Sequence, residues 1–114
     1  MEFKVFLTEE VIEFIDSLPI KAQAKIERSI QLLREFGFML PMPHSKQLTK
    51  FKKLKELRVT LVNNIYRLFY FHLKENTYII LSGYVKKSMR TNKEEILKAI
   101  KIMETILEQE NEKN

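Results

Sequence analysis

Residues 55–85, KELRVTLVNNIYRLFYFHLKENTYIILSGYV, decide the fold of this chain. They contain three runs that are rich in β-branched and aromatic side chains, as strands usually are. The runs are residues 55–62, 64–73 and 77–85. Turn-forming pairs, Asn63-Asn64 and Glu75-Asn76, separate them. Because such short turns join neighbouring strands, the segment predicts an antiparallel meander.

The segment before the meander predicts one strand and two helices. Residues 3–7 are β-prone, and Thr8 followed by two glutamates indicates a helix N-cap. The helical spacing breaks before Pro19, and a second apolar stripe runs to a stop at Gly37. Residues 38–45 contain two prolines and are predicted to form a loop.

The segment after the meander predicts a final helix. Thr91-Asn-Lys-Glu94 has the pattern of a capping box, and the apolar residues that follow keep helical spacing. The sequence therefore predicts a single α+β domain over residues 1–114, with an antiparallel sheet packed on helices in the order β-α-α-β-β-β-α.

Composition narrows the classes of function. The 114 residues suffice for one domain with its own core. The chain has no cysteine and only two histidines, so neither a disulfide framework nor a Cys-based zinc site is possible, and no metal or cofactor is expected. No apolar segment approaches the roughly 20 residues of a membrane span, and no export signal is visible. A cytoplasmic setting is the expectation.

Charge is concentrated in the middle of the chain. Between His44 and Lys93, twelve Lys or Arg, Lys93 included, face only Glu56 and Glu75, although the whole chain carries a formal net charge of +5. Charge that serves only solubility is spread evenly along a chain and would not be concentrated in one segment in this way. The pattern predicts a surface for a polyanion, and nucleic acid is the preferred partner.

Strand alternation selects a smaller set of residues within that basic region. Leu57, Val59 and Leu61 are expected on one face, whereas Glu56, Arg58 and Thr60 are expected on the other. Aligned hairpins would add three further side chains to the second face, namely Arg67, Tyr84 and Lys86. If helices back the sheet on one face only, this surface stays open for phosphate oxygens.

Each of these residues also has a purely structural interpretation. Strand arginines that pair with an acid are common, and in this interpretation Arg58 and Arg67 pair with an acid such as Glu56. The lysine cluster is equally typical of a solvated loop; it comprises Lys46, Lys50, Lys52, Lys53 and Lys55. The aromatic residues Tyr66, Tyr70 and Phe71 are predicted to belong to the core. His44 and His72 are not expected to be catalytic.

Three blocks resemble a known family. They are LKELRV (54–59), NIYRLFYF (64–71) and ILSGYVKKSMRT (80–91), followed directly by a helix. In order and spacing they resemble toxins of the HigB-like, phage-derived branch of the RelE superfamily. Ser88 and Thr91-Asn92 depart from the family pattern, which has Thr and then Thr-Pro there. The resemblance covers nearly the whole chain and implies a RelE-like fold.

The resemblance implies a bacterial type II toxin that cleaves mRNA, commonly on the ribosome. It implies silencing by a helix-turn-helix antitoxin, with DNA contacted only through that partner. The implied catalytic set is Arg58, Arg67, Lys86 and Lys87, with Glu56 as a possible base. RNA binding is assigned to Tyr84, Arg90 and the lysine cluster.

In this scheme the two arginines bind the scissile phosphate, and Lys86 is the preferred general acid or base. The changes Arg67→Ala and Lys86→Ala are then expected to abolish toxicity while preserving the fold. A non-catalytic RNA- or ribosome-binding relative and an antitoxin-binding module remain open as alternatives.

Overall fold

The computed structural model describes residues 2–40, 45–47, 53–86 and 92–113, with residues 46 and 47 described by their backbone alone. The elements run in the order β1, α1, α2, β2, β3, β4, β5, α3. Their bounds are β1 Lys4–Leu7, α1 Glu9–Asp16, α2 Ile20–Phe36, β2 Ser45–Gln47, β3 Leu54–Leu61, β4 Asn64–Lys74, β5 Thr77–Lys86 and α3 Lys93–Glu112. The predicted α+β class and the order of the main elements are confirmed.

The described strands form one sheet in the order β1-β5-β4-β3-β2. Strands β3, β4 and β5 pair antiparallel, as the meander predicted. Two features go beyond the prediction. Strand β1 pairs parallel to β5, and the short strand β2 adds an antiparallel edge beside β3. The sheet is therefore mixed, because the chain crosses over through α1 and α2 before it enters the meander.

The local signals for α1 and α2 act as predicted. The Thr8 side chain accepts a hydrogen bond from the Val11 amide, which caps α1. Gly37 ends α2 with a φ of 53°, in the left-handed region that favours glycine. A Cβ at Gly37 would also lie about 2.5 Å from the Phe3 ring, so any larger residue here would force that ring to move. A short 3-10 turn, Gly37–Met39, follows.

The helices cover both faces of the sheet. On one face α1 and α2 bury an apolar cluster that includes Leu57, Val59, Tyr66 and Tyr70. On the other face α3 packs against a second cluster of described residues; these are Leu54, Phe69, Phe71 and Leu81 from the sheet and Ile96, Ala99 and Met103 from the helix. The condition under which the second face would be fully open, helices on one face only, is therefore not met.

The start of α3 also differs from the expectation. The side chain of Asn92, one residue after Thr91, accepts hydrogen bonds from the Glu94 and Glu95 amides, and the helix begins at Lys93. Asn ranks with Ser and Asp as an N-cap, so the shift costs little. Among the described helices, α3 included, none is long and apolar enough to cross a membrane.

Candidate phosphate-binding site

The strand register brings three predicted site residues into one row across the sheet. Arg58 of β3 pairs with Arg67 of β4, and Arg67 pairs with Tyr84 of β5. Lys86 lies two residues beyond Tyr84, opposite Ile65, and thus on the same face one row further along. The predicted alignment of these four residues is confirmed, because no register shift interrupts the pairing between Ile65 and Phe69.

Glu56 joins the two arginines of this row. Its Oε1 atom accepts a hydrogen bond from Arg58 Nε at 2.7 Å and another from Arg67 Nη1 at 2.8 Å. The side chains of Glu56 and Arg67 are 0% exposed, whereas that of Arg58 is 17% exposed. The structural interpretation, that both arginines pair with Glu56, is therefore correct. Within this network Arg58 is the residue that reaches solvent.

Arg67 is thus buried, whereas phosphate binding would require an accessible guanidinium. A fully buried guanidinium cannot contact RNA without rearrangement of the surrounding side chains. Its charge instead compensates the carboxylate of Glu56, since a buried charge without a partner is strongly unfavourable. Glu56 is equally inaccessible, and this burial does not suit a general base, which must come within hydrogen-bond distance of the substrate proton.

Tyr84 connects the row to the beginning of α3. Its ring stacks on Phe69 with centroids 5.8 Å apart and an interplanar angle of 21°. Its hydroxyl accepts a hydrogen bond of 2.8 Å from the Asn92 amide. Burial raises the pKa of the Tyr84 hydroxyl, and the hydrogen bond with Asn92 partly opposes that rise. Tyr84 therefore holds the helix terminus beside the arginine row.

On the sheet face that packs against α3, the residues change from apolar to cationic along the strands. The row with Leu54 and Phe71 is apolar and lies under α3. In the next row Phe69 also packs on α3, between Glu56 and Ser82. Beyond them come the Arg58 row and then Lys86, which is partly exposed at the end of β5. The accessible cationic groups of the described face are thus Arg58 and Lys86, at the margin of the apolar contact with α3.

The lysine cluster divides between two faces. Lys55 alternates with Glu56 and so lies on the face of α1 and α2, away from Arg58. Lys53 is exposed just before β3. The remaining members predicted to bind RNA, together with Lys87 of the catalytic set and His44, lie outside the described residues or side chains; they are Lys46, Lys50, Lys52 and Arg90.

A large cleft lies elsewhere on the molecule. It has a volume of about 690 Å³, and its described lining residues are Phe3, Phe38, Lys55, His72, Glu75, Asn76 and Tyr78. None of these belongs to the Arg58 row. His72 contacts the Tyr78 ring and the Glu75 carbonyl. Across the described ranges, no three His, Asp or Glu side chains cluster as metal ligands would.

Two residues of this region did not emerge from the sequence. Phe69 supports the Tyr84 ring, and Asn92 binds the Tyr84 hydroxyl through its amide. An asparagine directly before Lys-Glu-Glu is itself an N-cap signal, and it would have marked Asn92 as the first residue to meet the sheet. The stacking of Phe69 follows only from the strand register.

The mixed sheet, with α1 and α2 on one face and α3 on the other, is a fold that the chain shares with solved RelE structures. The chain is similar to a chain of the archaeal RelE–RelB complex from Pyrococcus horikoshii OT3, with 20% identity over 79% of this chain and 100% of the other and a TM-score of 0.58. It is also similar to a mutant of the Escherichia coli toxin RelE in the free state, with 17% identity over 89% and 97% of the two chains and a TM-score of 0.63.

The family described as Phage derived protein Gp49-like matches residues 13–104, which is most of the chain. The protein therefore belongs to this family. The resemblance to a phage-derived, RelE-like group is confirmed by this match together with the two shared folds. No curated protein matches the chain.

Proposed function

We propose that this protein is the HigB-like toxin of a type II toxin–antitoxin pair and that it cleaves mRNA, on the ribosome, in the cytoplasm. The observation that carries the proposal is the pairing of a RelE-like fold with partly exposed cationic groups, Arg58 and Lys86, on one face of its sheet. Arginine and lysine at a sheet surface suit a phosphodiester backbone, whose oxygens accept hydrogen bonds from both.

The proposed reaction uses the RNA 2′-OH as the nucleophile. The O2′ atom attacks the adjacent phosphorus, and the bond from phosphorus to the 5′ oxygen of the next nucleotide breaks. The proton of the 2′-OH passes to a general base, and a second proton reaches the departing 5′ oxygen. The products are a 2′,3′-cyclic phosphate and a free 5′-OH.

The described residues are assigned separate roles in this step. Arg58 binds the non-bridging oxygens and stabilises the negative charge that grows on the phosphorane. Lys86 is the proposed general acid or base, since it is partly exposed one row from Arg58. Lys87 would complete the cationic surface, and Tyr84 orients the region through α3. Arg67 and Glu56 lie behind Arg58 and do not contact RNA.

The proposed partner is a helix-turn-helix antitoxin that neutralises the toxin and brings it to DNA. The solved archaeal relative comes from a RelE–RelB complex, which supports a protein partner for this chain as well. The lysines that precede β3 would serve as an approach surface for RNA, with an attraction that weakens as salt is raised.

Brief induction of the protein in bacteria, followed by primer extension on abundant transcripts, tests the proposal. We expect growth arrest and new 5′ ends within coding sequences, and both should vanish in Arg58→Ala and Lys86→Ala. RNA that binds the protein but stays intact would favour a non-catalytic relative. Intact RNA without binding, together with a tight antitoxin complex, would favour the interaction module.

A further inference from the structure

The buried ion pair behind Arg58 is unusual for a small domain, because an apolar pair of similar volume is often as stabilising or more so. Glu56 and Arg67 are the charged side chains that are fully buried in the described chain. Stability alone therefore gives no reason for charge at these positions. What a carboxylate can do, and an apolar side chain cannot, is to hold a second guanidinium.

Glu56 performs that task for Arg58. Its Oε1 atom lies between Arg58 Nε and Arg67 Nη1, at 2.7 and 2.8 Å. Arg67 of β4 pairs with Glu56 of the neighbouring strand β3, so a buried cation on the core side holds the carboxylate in place. The three side chains form a connected series from the core to the surface, and only the last member, Arg58, is partly exposed.

The atom that Glu56 engages decides which edge of Arg58 faces outward. A guanidinium binds an anion with two nitrogens either through Nε and one terminal nitrogen or through its two terminal nitrogens. Because the Arg58 Nε–H is donated to Glu56, the first edge is occupied. The terminal edge, Nη1 and Nη2, remains to meet two phosphate oxygens in parallel hydrogen bonds.

We propose that Glu56 and Arg67 are positioning residues, which orient the Arg58 guanidinium so that its two terminal nitrogens bind the phosphate. This inference rests on the proposed function and revises the sequence-based roles of both residues. Glu56 is not the base, and Arg67 does not contact RNA. They act through Arg58, since a misplacement of about 1 Å at a reacting phosphate costs on the order of 100-fold in rate.

The decisive variant is the double change Glu56→Leu/Arg67→Met, which removes both buried charges together. Each single change would remove one member of the buried pair and destabilise the protein severely, whereas the apolar pair should fold about as well as the parent. Arg58 is unchanged in this variant but loses the acceptor for its Nε–H. A matched control, Glu10→Gln/Lys98→Gln, removes the 2.8 Å ion pair between α1 and α3, which is remote from the arginine row.

Single-turnover cleavage of ribosome-bound mRNA provides the first readout. We expect the maximal single-turnover rate constant of the double variant to fall about 100-fold, while the concentration that gives half of the maximal rate changes by less than about threefold. The reason is that the lost interaction belongs to the transition state. The control should cleave at the parent rate. Arg58→Lys should lose as much activity as Arg58→Ala, because an ammonium offers no fixed pair of edges.

The NMR signal of the Arg58 Nε–H provides a second readout, which does not depend on cleavage. In the parent it should exchange slowly with water, and in the double variant rapidly. A folded double variant that cleaves within threefold of the parent, or a parent Nε–H that exchanges as fast as an exposed arginine, overturns the positioning role. A slow Nε–H in a parent that cleaves no RNA supports the orientation of Arg58 and overturns the proposed function instead.

Discussion

Replacing Arg67 with alanine is expected to destabilise the protein severely. The side chain is fully buried, and its removal leaves the equally buried Glu56 with Arg58 as its arginine partner within the described residues. Breaking a buried ion pair in this way costs about 3–5 kcal/mol. Because Arg58 retains part of the compensation, the lower end, about 3 kcal/mol, is expected here. That is a large part of the roughly 5–15 kcal/mol that stabilises a typical domain.

Thermal and urea unfolding followed by circular dichroism measure this loss. At about 3–5 °C for each kcal/mol in a chain of this size, the melting temperature of Arg67→Ala should fall by roughly 10 °C or more. Arg58→Ala is the matched control, because it removes the other arm of the network but leaves Glu56 paired with Arg67. The control should lose only about 1 kcal/mol, as expected for a partly exposed pair.

A loss below about 1 kcal/mol for Arg67→Ala would refute the assignment of a buried, compensating charge. Given the burial of Arg67, the sequence-based expectation that this variant preserves the fold is replaced by the expectation of a severe destabilisation. Relief of growth arrest by Arg67→Ala would therefore reflect unfolding as much as any defect at the site. Lys86→Ala is the better probe of chemistry.

Further predictions concern the site, its helix and the core. Lys86→Ala should abolish cleavage while urea unfolding shifts by less than about 0.5 kcal/mol, because the side chain lies at a strand end. Cleavage by the parent should leave 2′,3′-cyclic phosphate and 5′-hydroxyl ends; a 3′-hydroxyl beside a 5′-phosphate would contradict the proposed attack by the 2′-OH. Tyr84→Phe keeps the ring stack but loses the hydrogen bond from Asn92, so unfolding should become easier by about 1 kcal/mol. Burial raises the pKa of Tyr70 to about 12 from its usual 10, although the hydrogen bond with Ser45 opposes the rise. Because the pKa of Tyr70 is higher in the folded state than in the unfolded one, protonation of Tyr70 contributes fully to stability below pH 10. This contribution, up to about 3 kcal/mol, is lost between pH 10 and 12. Tyr70→Phe should remove that part of the alkaline unfolding transition.

Much of the fold follows from local signals in the sequence. The meander was predictable because its strands are β-prone and its turns are short, and the core positions of Tyr66, Tyr70 and Phe71 followed from their aromatic character. Thr8 and Gly37 marked helix ends through side-chain and backbone chemistry that acts within a few residues. The parallel pairing of β1 with β5 joins segments about 70 residues apart and has no such local signal.

The candidate site shows the same division. Strand alternation correctly placed Arg58, Arg67, Tyr84 and Lys86 on one face, because the period of two is a property of the strand itself. It did not reveal which of these residues reaches solvent. That depends on which parts of the folded chain cover each side chain, and these neighbours come from distant segments such as α3, which packs on this face.

Local patterns along the chain specify the order of the elements, the basic character of the middle segment and the set of charges that share a face. The roles of these charges depend on contacts between distant segments. Glu56 and Arg67 became an internal ion pair and Arg58 the accessible cation, because side chains from two strands and one helix meet there and exclude water unequally. Burial is a property of the assembled fold, and for a charged group it decides whether the charge stabilises a neighbour or binds a ligand.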